Sequence, residues 1–186
     1  MTGQTAPPPA LASGRVLLRP WRPDDRDPFA AINADPEVME HFPGVLSKGE
    51  SDVLADRMAR ALVERGWGLW AAELAETGVF MGFVGLNPTP FEAAFTPATE
   101  IGWRLARPYW GHGLATEAAR TVLGHAFENL GSDEIVSFTT TANHRSRRVM
   151  AKLGMSHVES DDFDHPGLAA GHPQRRHVLY RISRPV

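Results

Sequence analysis

The stretch that decides the fold runs Glu100-Ile101-Gly102-Trp103-Arg104-Leu105, continues as Ala106-Arg107-Pro108-Tyr109-Trp110, and passes through Gly111-His112-Gly113 into Leu114-Ala115-Thr116-Glu117-Ala118-Ala119. Thr99 to Leu105 has the β-branched and aromatic content of a strand. Beyond the glycines, Ala115, Ala118, Ala119, Val122, Leu123, Ala126, Phe127 and Leu130 step by 3, 1, 3, 1, 3, 1, 3, the stripe of an amphipathic helix. A strand therefore runs through a glycine loop into a helix start. The first N–H groups of a helix have no internal partner and the macrodipole adds about half a positive charge, so such a loop suits an anion. Gly111 and Gly113 admit close approach of the main chain, and a pyrophosphate is the natural guest. By itself, G-x-G before a helix is equally the pattern of a plain tight turn. A Walker A loop requires Gly-Lys-Ser/Thr, and no lysine occurs here. A dinucleotide fingerprint requires a third glycine where Glu117 stands, and no clear βαβ unit surrounds it.

Outward from this centre the chain reads as alternating short elements. Upstream, Val16-Leu17-Leu18 makes a first strand, closed by Trp21 to Asp25 with Pro20 and Pro23. A short helix is expected over Pro28 to Asn33 and a second over Gly49 to Glu64, where Val53, Leu54, Met58, Ala61 and Leu62 share one face and Gly66 ends the run. Trp67 to Ala75 and Val79 to Leu86 read as a hairpin across Glu76-Thr77-Gly78. Trp67 and Trp70, three apart in that strand, point to opposite faces. Downstream, Ile135 to Thr141 is rich in β-branched residues, Asn143 is a helix N-cap, and Val149, Met150 and Leu153 form the inner stripe of a helix ended by Gly154. Strands near Ser156 to Ser160 and His177 to Ile182 close the order β-α-α-β-β-β-α-β-α-β-β. Local pattern alone thus gives an α+β or mixed α/β fold. Residues 1–13 are polar and Pro-rich, a flexible tail, and 14–186 form a single domain.

With 186 residues and 20.4 kDa the chain fits one domain that can bury a self-sufficient core. It has no cysteine, which excludes disulfides, thiolate metal sites and a cysteine nucleophile. Lys+Arg 19 against Asp+Glu 22 gives a net charge of -3, without the basic excess that nucleic-acid binding requires. No apolar run reaches membrane-spanning length and the start lacks a signal peptide, so the expected place is the cytoplasm, without membrane contact. His157, His165, His172 and His177 have no metal-ligand spacing. Arg145, Arg147, Arg148 and Lys152 read as a solvated helix face with one residue free to touch a phosphate.

Tyr109-Trp110-Gly111-His112-Gly113-Leu114-Ala115-Thr116-Glu117-Ala118 resembles the acetyl-CoA loop of the GNAT superfamily of N-acyltransferases, in its RimJ/RimL-like branch. The resemblance extends from Arg15 to about Ile182 and includes the early Leu-Leu-Arg-Pro and the later Asn143-x-x-Ser146-x-x-Val149-x-x-Lys152-Leu153-Gly154. It implies a mixed, mostly antiparallel sheet flanked by helices, with a V-shaped cleft near the Glu100 and Ile135 strands. It implies acetyl-CoA as co-substrate and an amine acceptor, with pantetheine on Trp103, Arg104 and Leu105 and the phosphates on the loop Trp110, Gly111, His112, Gly113, Leu114, Ala115 and Thr116. Asn143 resembles the asparagine that bonds the CoA arm. Many members carry Gln or Arg where this chain has Pro108 and Trp110, a change that backbone binding tolerates.

Acetyl transfer to an amine needs a neutral amine, a polarised carbonyl and a proton for the leaving thiolate. Glu100, at the start of the strand that would splay, stands where relatives keep a carboxylate base. Ser146 faces inward one turn before Met150, which occupies the place of a tyrosine acid in many members, so the hydroxyl inherits that role. The blander readings are a solvated strand-end Glu and a Ser that completes a helix start. The leading function is an acetyl-CoA-dependent N-acetyltransferase acting by direct attack on a primary amine, of a protein N-terminus or a small molecule. The alternative is a non-catalytic acyl-CoA-binding sensor, which would dispense with Glu100 and Ser146. An α-amine near pKa 7.8 is about a quarter to a third neutral at pH 7.4, a lysine amine only about 0.1%, which suits a modest base to α-amines. The acidic run Glu159 to Asp164 is a solvated turn or a lure for polycations. Monomer and homodimer are both compatible with the sequence.

Overall fold

The computed structural model describes residues 8–185. β1 (Leu11–Ala12) and β2 (Val16–Arg19) pair antiparallel, Leu11 opposite Leu18. The N-terminal segment is thus partly built into the fold, with the Pro9 carbonyl accepting from Trp70 Nε1 at 2.9 Å; residues 1–7 lie outside the described residues. Composition pointed to a tail because two residues of pairing leave no periodic signal. α1 (Arg26–Ala34) and α2 (Lys48–Arg65) follow. Ser47 and Glu50 close a capping box at the start of α2, and Gly66, at φ 76°, takes the left-handed turn that ends it.

β3 (Leu69–Leu74) and β4 (Phe80–Pro88) make the expected hairpin, with Gly78 N–H donating to the Leu74 carbonyl at 2.8 Å. Trp67 falls outside the strand, beneath the Arg65 guanidinium, while Trp70 is fully buried. β5 (Thr99–Leu105), α3 (Leu114–Glu128), β6 (Glu134–Thr140) and α4 (His144–Lys152) match their expected places to within a residue or two. β7 (Ser156–His157) is shorter than expected, because a turn of 3₁₀ helix at Glu159–Asp161 turns the chain so that Asp162 meets His157. The sequence reading lacked β8 (Phe163–Asp164), which pairs with β9 (Arg176–Ser183).

The strands form one sheet in the order β1-β2-β3-β4-β5-β6-β9-β7, with β8 also against β9. Every pairing is antiparallel except β5 with β6. α3 buries its stripe, including Leu114, Ala118, Val122, Ala126 and Phe127, in the core on one face; Phe29, Ala55, Met58 and Phe83 form a second cluster beneath α1 and α2 on the other. Each fully buried aliphatic or aromatic side chain contributes about 1.5–3 kcal/mol. At the second cluster's edge Arg19, 4% exposed, pairs with Asp25 at 2.7 Å and with Glu73, which offsets the cost of burying all three charges.

The parallel pair β5–β6 meets at a single ladder position, Glu100 opposite Val136. One residue on, Ser137 Oγ donates to the Ile101 carbonyl at 2.9 Å, a side chain standing in for the main-chain bond. Beyond that point the two strands diverge and the sheet opens.

Candidate active site

The opening is the mouth of a cavity of about 630 Å³. Glu100 to Leu105 of β5 and Ser137 to Thr140 of β6 form its inner walls, the glycine loop and start of α3 one rim, and the start of α4 another. Among the described residues, Trp103, Arg104, Leu105, Trp110, Gly111, Gly113, Leu114, Ala115, Thr116, Asn143, Ser146 and Glu100 all line it. His112 does not: it is exposed, and its carbonyl accepts from Arg15 Nη1 at 3.1 Å. The Leu105 carbonyl already accepts from Trp110 Nε1 at 2.7 Å, which ties the loop to the strand end.

From Gly111 to Thr116 no backbone N–H has an acceptor among the described residues. Gly111 and Gly113 hold φ of 79° and 80°, the left-handed region that turns successive N–H groups outward and that L side chains resist. Gly113 is the N-cap of α3 and brings no capping side chain, so the donors of the first turn stay open. Glu117 steadies this rim from behind: its carboxylate accepts from Ser13 Oγ, Arg15 N and Arg15 Nε at 2.7–2.8 Å. The open donors at a helix start fit an anionic diphosphate.

Glu100 lies opposite Asn87 of β4, but the Asn87 amide turns to the Pro88 carbonyl at 3.0 Å. With no hydrogen bond or ion pair among the described residues, burial alone acts on the Glu100 carboxyl and pushes it up to about 8. Across the cleft, Asn143 Oδ1 caps α4 by accepting from Ser146 N at 3.1 Å, and its Nδ2 donates to Thr139 Oγ1 at 2.9 Å and Ser146 Oγ at 3.2 Å. Both amide hydrogens of Asn143 are thereby used inside the protein. Ser146 Oγ accepts that one bond, has no acceptor for its own proton among the described residues, and lines the cavity. Met150, buried at 1% exposure, belongs to the wall.

The other side of the cavity is built by the segment joining α1 to α2, whose shape the sequence did not disclose. Asp35 and Glu37 pair with Arg107. Arg145, on the solvated face expected of it, also lies over the Trp110 ring at 4.6 Å and reaches Glu40 at 3.5 Å; Gln174 donates to the Glu40 carbonyl at 2.7 Å. His165 and His177 pack edge-on or tilted against Phe91, Phe138 and Phe163, and burial pushes both imidazoles down, toward the neutral ring. His157 stacks on Tyr180, and His172 Nδ1 accepts from Gln174 N. Asp161, Asp162 and Asp164 are occupied by Arg181, His157 and Arg175, which leaves little of a polycation lure. The Arg104 side chain was also missed; strand alternation, which sets Glu100, Gly102 and Arg104 on one face, was the available signal.

A sheet split between parallel strands, with open helix-start donors at one lip and a raised-pKa carboxyl at the other, is the architecture of an acyl-CoA-dependent transferase. Residues 15–156 match the acetyltransferase (GNAT) domain family, and the chain belongs to it: it is an acetyl-CoA-using N-acetyltransferase. FsC-acetyl coenzyme A-N(2)-transacetylase of Aspergillus fumigatus is 35% identical over 187 residues, 95% of this chain and 77% of that protein. The acetyltransferase (GNAT family) from Bacillus anthracis superposes with a TM-score of 0.78 at 21% identity, covering 95% of this chain and 99% of the other. Mycobacterium smegmatis RimJ, solved in complex with CoA-disulfide, gives 0.74 at 22% identity, over 95% and 88% of the two chains. No helix among the described residues is long and apolar enough to cross a membrane.

Proposed function

We propose that this chain moves an acetyl group from acetyl-CoA to an α-amine of a peptide or small molecule by direct attack. The observation that carries the reading is the Glu100 carboxyl, without a partner among the described residues where β5 leaves β6. Its base form takes the amine proton, directly or through water, and a value near working pH matches a base that must release the proton again. The N–H groups of Gly111 to Thr116 would hold the pyrophosphate, and Trp103 and Arg104 would offer backbone to pantetheine. Ser146 Oγ–H, held by Asn143, would protonate the leaving thiolate. The sensor alternative gives no reason for a carboxyl kept unpaired in the wall. The N(2) in the name of the Aspergillus relative supports an amine of this class. The test compares kcat/KM, followed by thiol release from acetyl-CoA, for a peptide with a free N-terminus and its N-blocked, lysine-containing counterpart. The free N-terminus should react faster; a faster blocked peptide overturns the α-amine preference.

A further inference from the structure

The transfer chemistry leaves the Arg104 guanidinium unused, and its surroundings are costly for a cation. It is 9% exposed. Among the described residues its one hydrogen bond is from Nη1 to Asn33 Oδ1 at 2.5 Å, and Nε is buried without an acceptor. Its plane stacks on Phe42, 4.1 Å from the ring centre, with Phe83 at 5.5 Å. Asn33 is fully buried and fixed in turn by Nδ2 donating to Ser51 Oγ at 2.8 Å. Burial without a counter-charge lowers the group to about 10.

Arg19 shows how the same chain treats a buried arginine that is only structural: it meets two carboxylates. Arg104 instead meets a neutral amide, which orients the fork and leaves its charge whole. A buried cation that meets no carboxylate is costly to a fold even with a neutral amide and two rings beside it, so its presence in a cavity wall calls for an anionic guest. Its place says which. Glu100 and Arg104 share one face of β5, about 13 Å apart along the strand, and Gly102 between them lies opposite Gly85 of β4. No β5 side chain stands between the base and the guanidinium on that face.

We propose that Arg104 receives a carboxylate carried by the acceptor itself, so that the substrates are amines that also bear a carboxylate. Nη1 is taken by Asn33 and Nε is sealed from solvent, so Nη2 is the nitrogen left to donate to a carboxylate oxygen, and the amine then lies along the glycine floor toward Glu100. This deepens the transfer reading and rests on it for the identity of the cavity's occupant.

The test is calorimetric titration of the whole chain with phenylacetate and with its neutral isostere phenylacetamide, in wild type and Arg104→Gln. Wild type should bind the carboxylate at least tenfold tighter than the amide, and in Arg104→Gln the ratio should fall to within twofold. Equal affinities in wild type overturn the proposal whether or not the variant folds, as does a preference that survives in Arg104→Gln. Inorganic phosphate that binds wild type as tightly as phenylacetate overturns the assignment to a carboxylate. Acetyl-CoA titrated into the same samples separates the two readings: retained acetyl-CoA binding with no carboxylate preference removes this proposal alone, and loss of acetyl-CoA binding in wild type removes the transfer reading.

Discussion

Replacing Glu100 by Gln should raise stability at high pH, against the usual direction for a residue lining an active site. The carboxyl has an ordinary value of 4.5 and is pushed up to about 8 by burial. A carboxyl raised in the folded state binds a proton that the unfolded chain has released. Its contribution is therefore fully present below pH 4.5 and lost as pH rises through 8. Each pH unit in that window costs about 1.36 kcal/mol, so the total reaches at most ~5 kcal/mol by pH 9; water in the cleft makes this an upper limit. Gln keeps the shape and has no charge to desolvate. Urea unfolding, followed by the fluorescence of the five tryptophans, should give equal free energies for the two proteins near pH 4.5. From there to pH 8 the gap should widen in favour of Glu100→Gln. In parallel, wild-type turnover should rise from pH 7 to pH 9 about tenfold more than the variant's, because the base form fills on top of the acceptor amine's own deprotonation, which both proteins share. A stability gap independent of pH would show that the carboxyl is solvated, and the argument for its role would fall with it.

Gly113→Val should weaken acetyl-CoA binding, because a branched side chain resists a φ of 80°; wild type in ligand at 100 times Kd gains about 2.7 kcal/mol, and an equal gain in melting temperature for the variant would contradict the anion-loop reading. Ser146→Ala should lower kcat by about 10²–10⁴ at unchanged acetyl-CoA affinity; the α4 cap comes from Asn143 and survives, so unchanged turnover returns Ser146 to a structural part. Asp25→Ala should cost about 3–5 kcal/mol in denaturant unfolding by leaving Arg19 buried with half its partners, while kcat per folded molecule holds, since neither residue lines the cavity.

The glycine loop and α3 were legible because their signals are local: a 3-1 apolar rhythm and two glycines at a helix start. Asn143 was legible as a cap for the same reason. The split between β5 and β6 came from resemblance, since pairing that stops after one position leaves no mark in either strand's composition. Arg104 was read only as backbone because its burial is made by Phe42 and Asn33, 62 and 71 positions away. The acidic run from Glu159 looked like free charge because its partners arrive from further along the chain, Arg181 from β9 and Arg175 from the residue before it. β1 and β8, two residues each, are shorter than any periodic signal.

Because β5 and β6 part after one ladder position, the sheet has internal edges as well as outer ones. An edge of unpaired N–H and C=O groups ordinarily recruits a strand from another molecule and seeds aggregation. Here two such edges are turned toward each other inside a wedge. They face the cavity that β5 and β6 line rather than the outside of the sheet, where a neighbouring molecule's strand would dock. Backbone groups that would be an aggregation liability at the rim of the sheet are in this way kept for the cavity's own occupant.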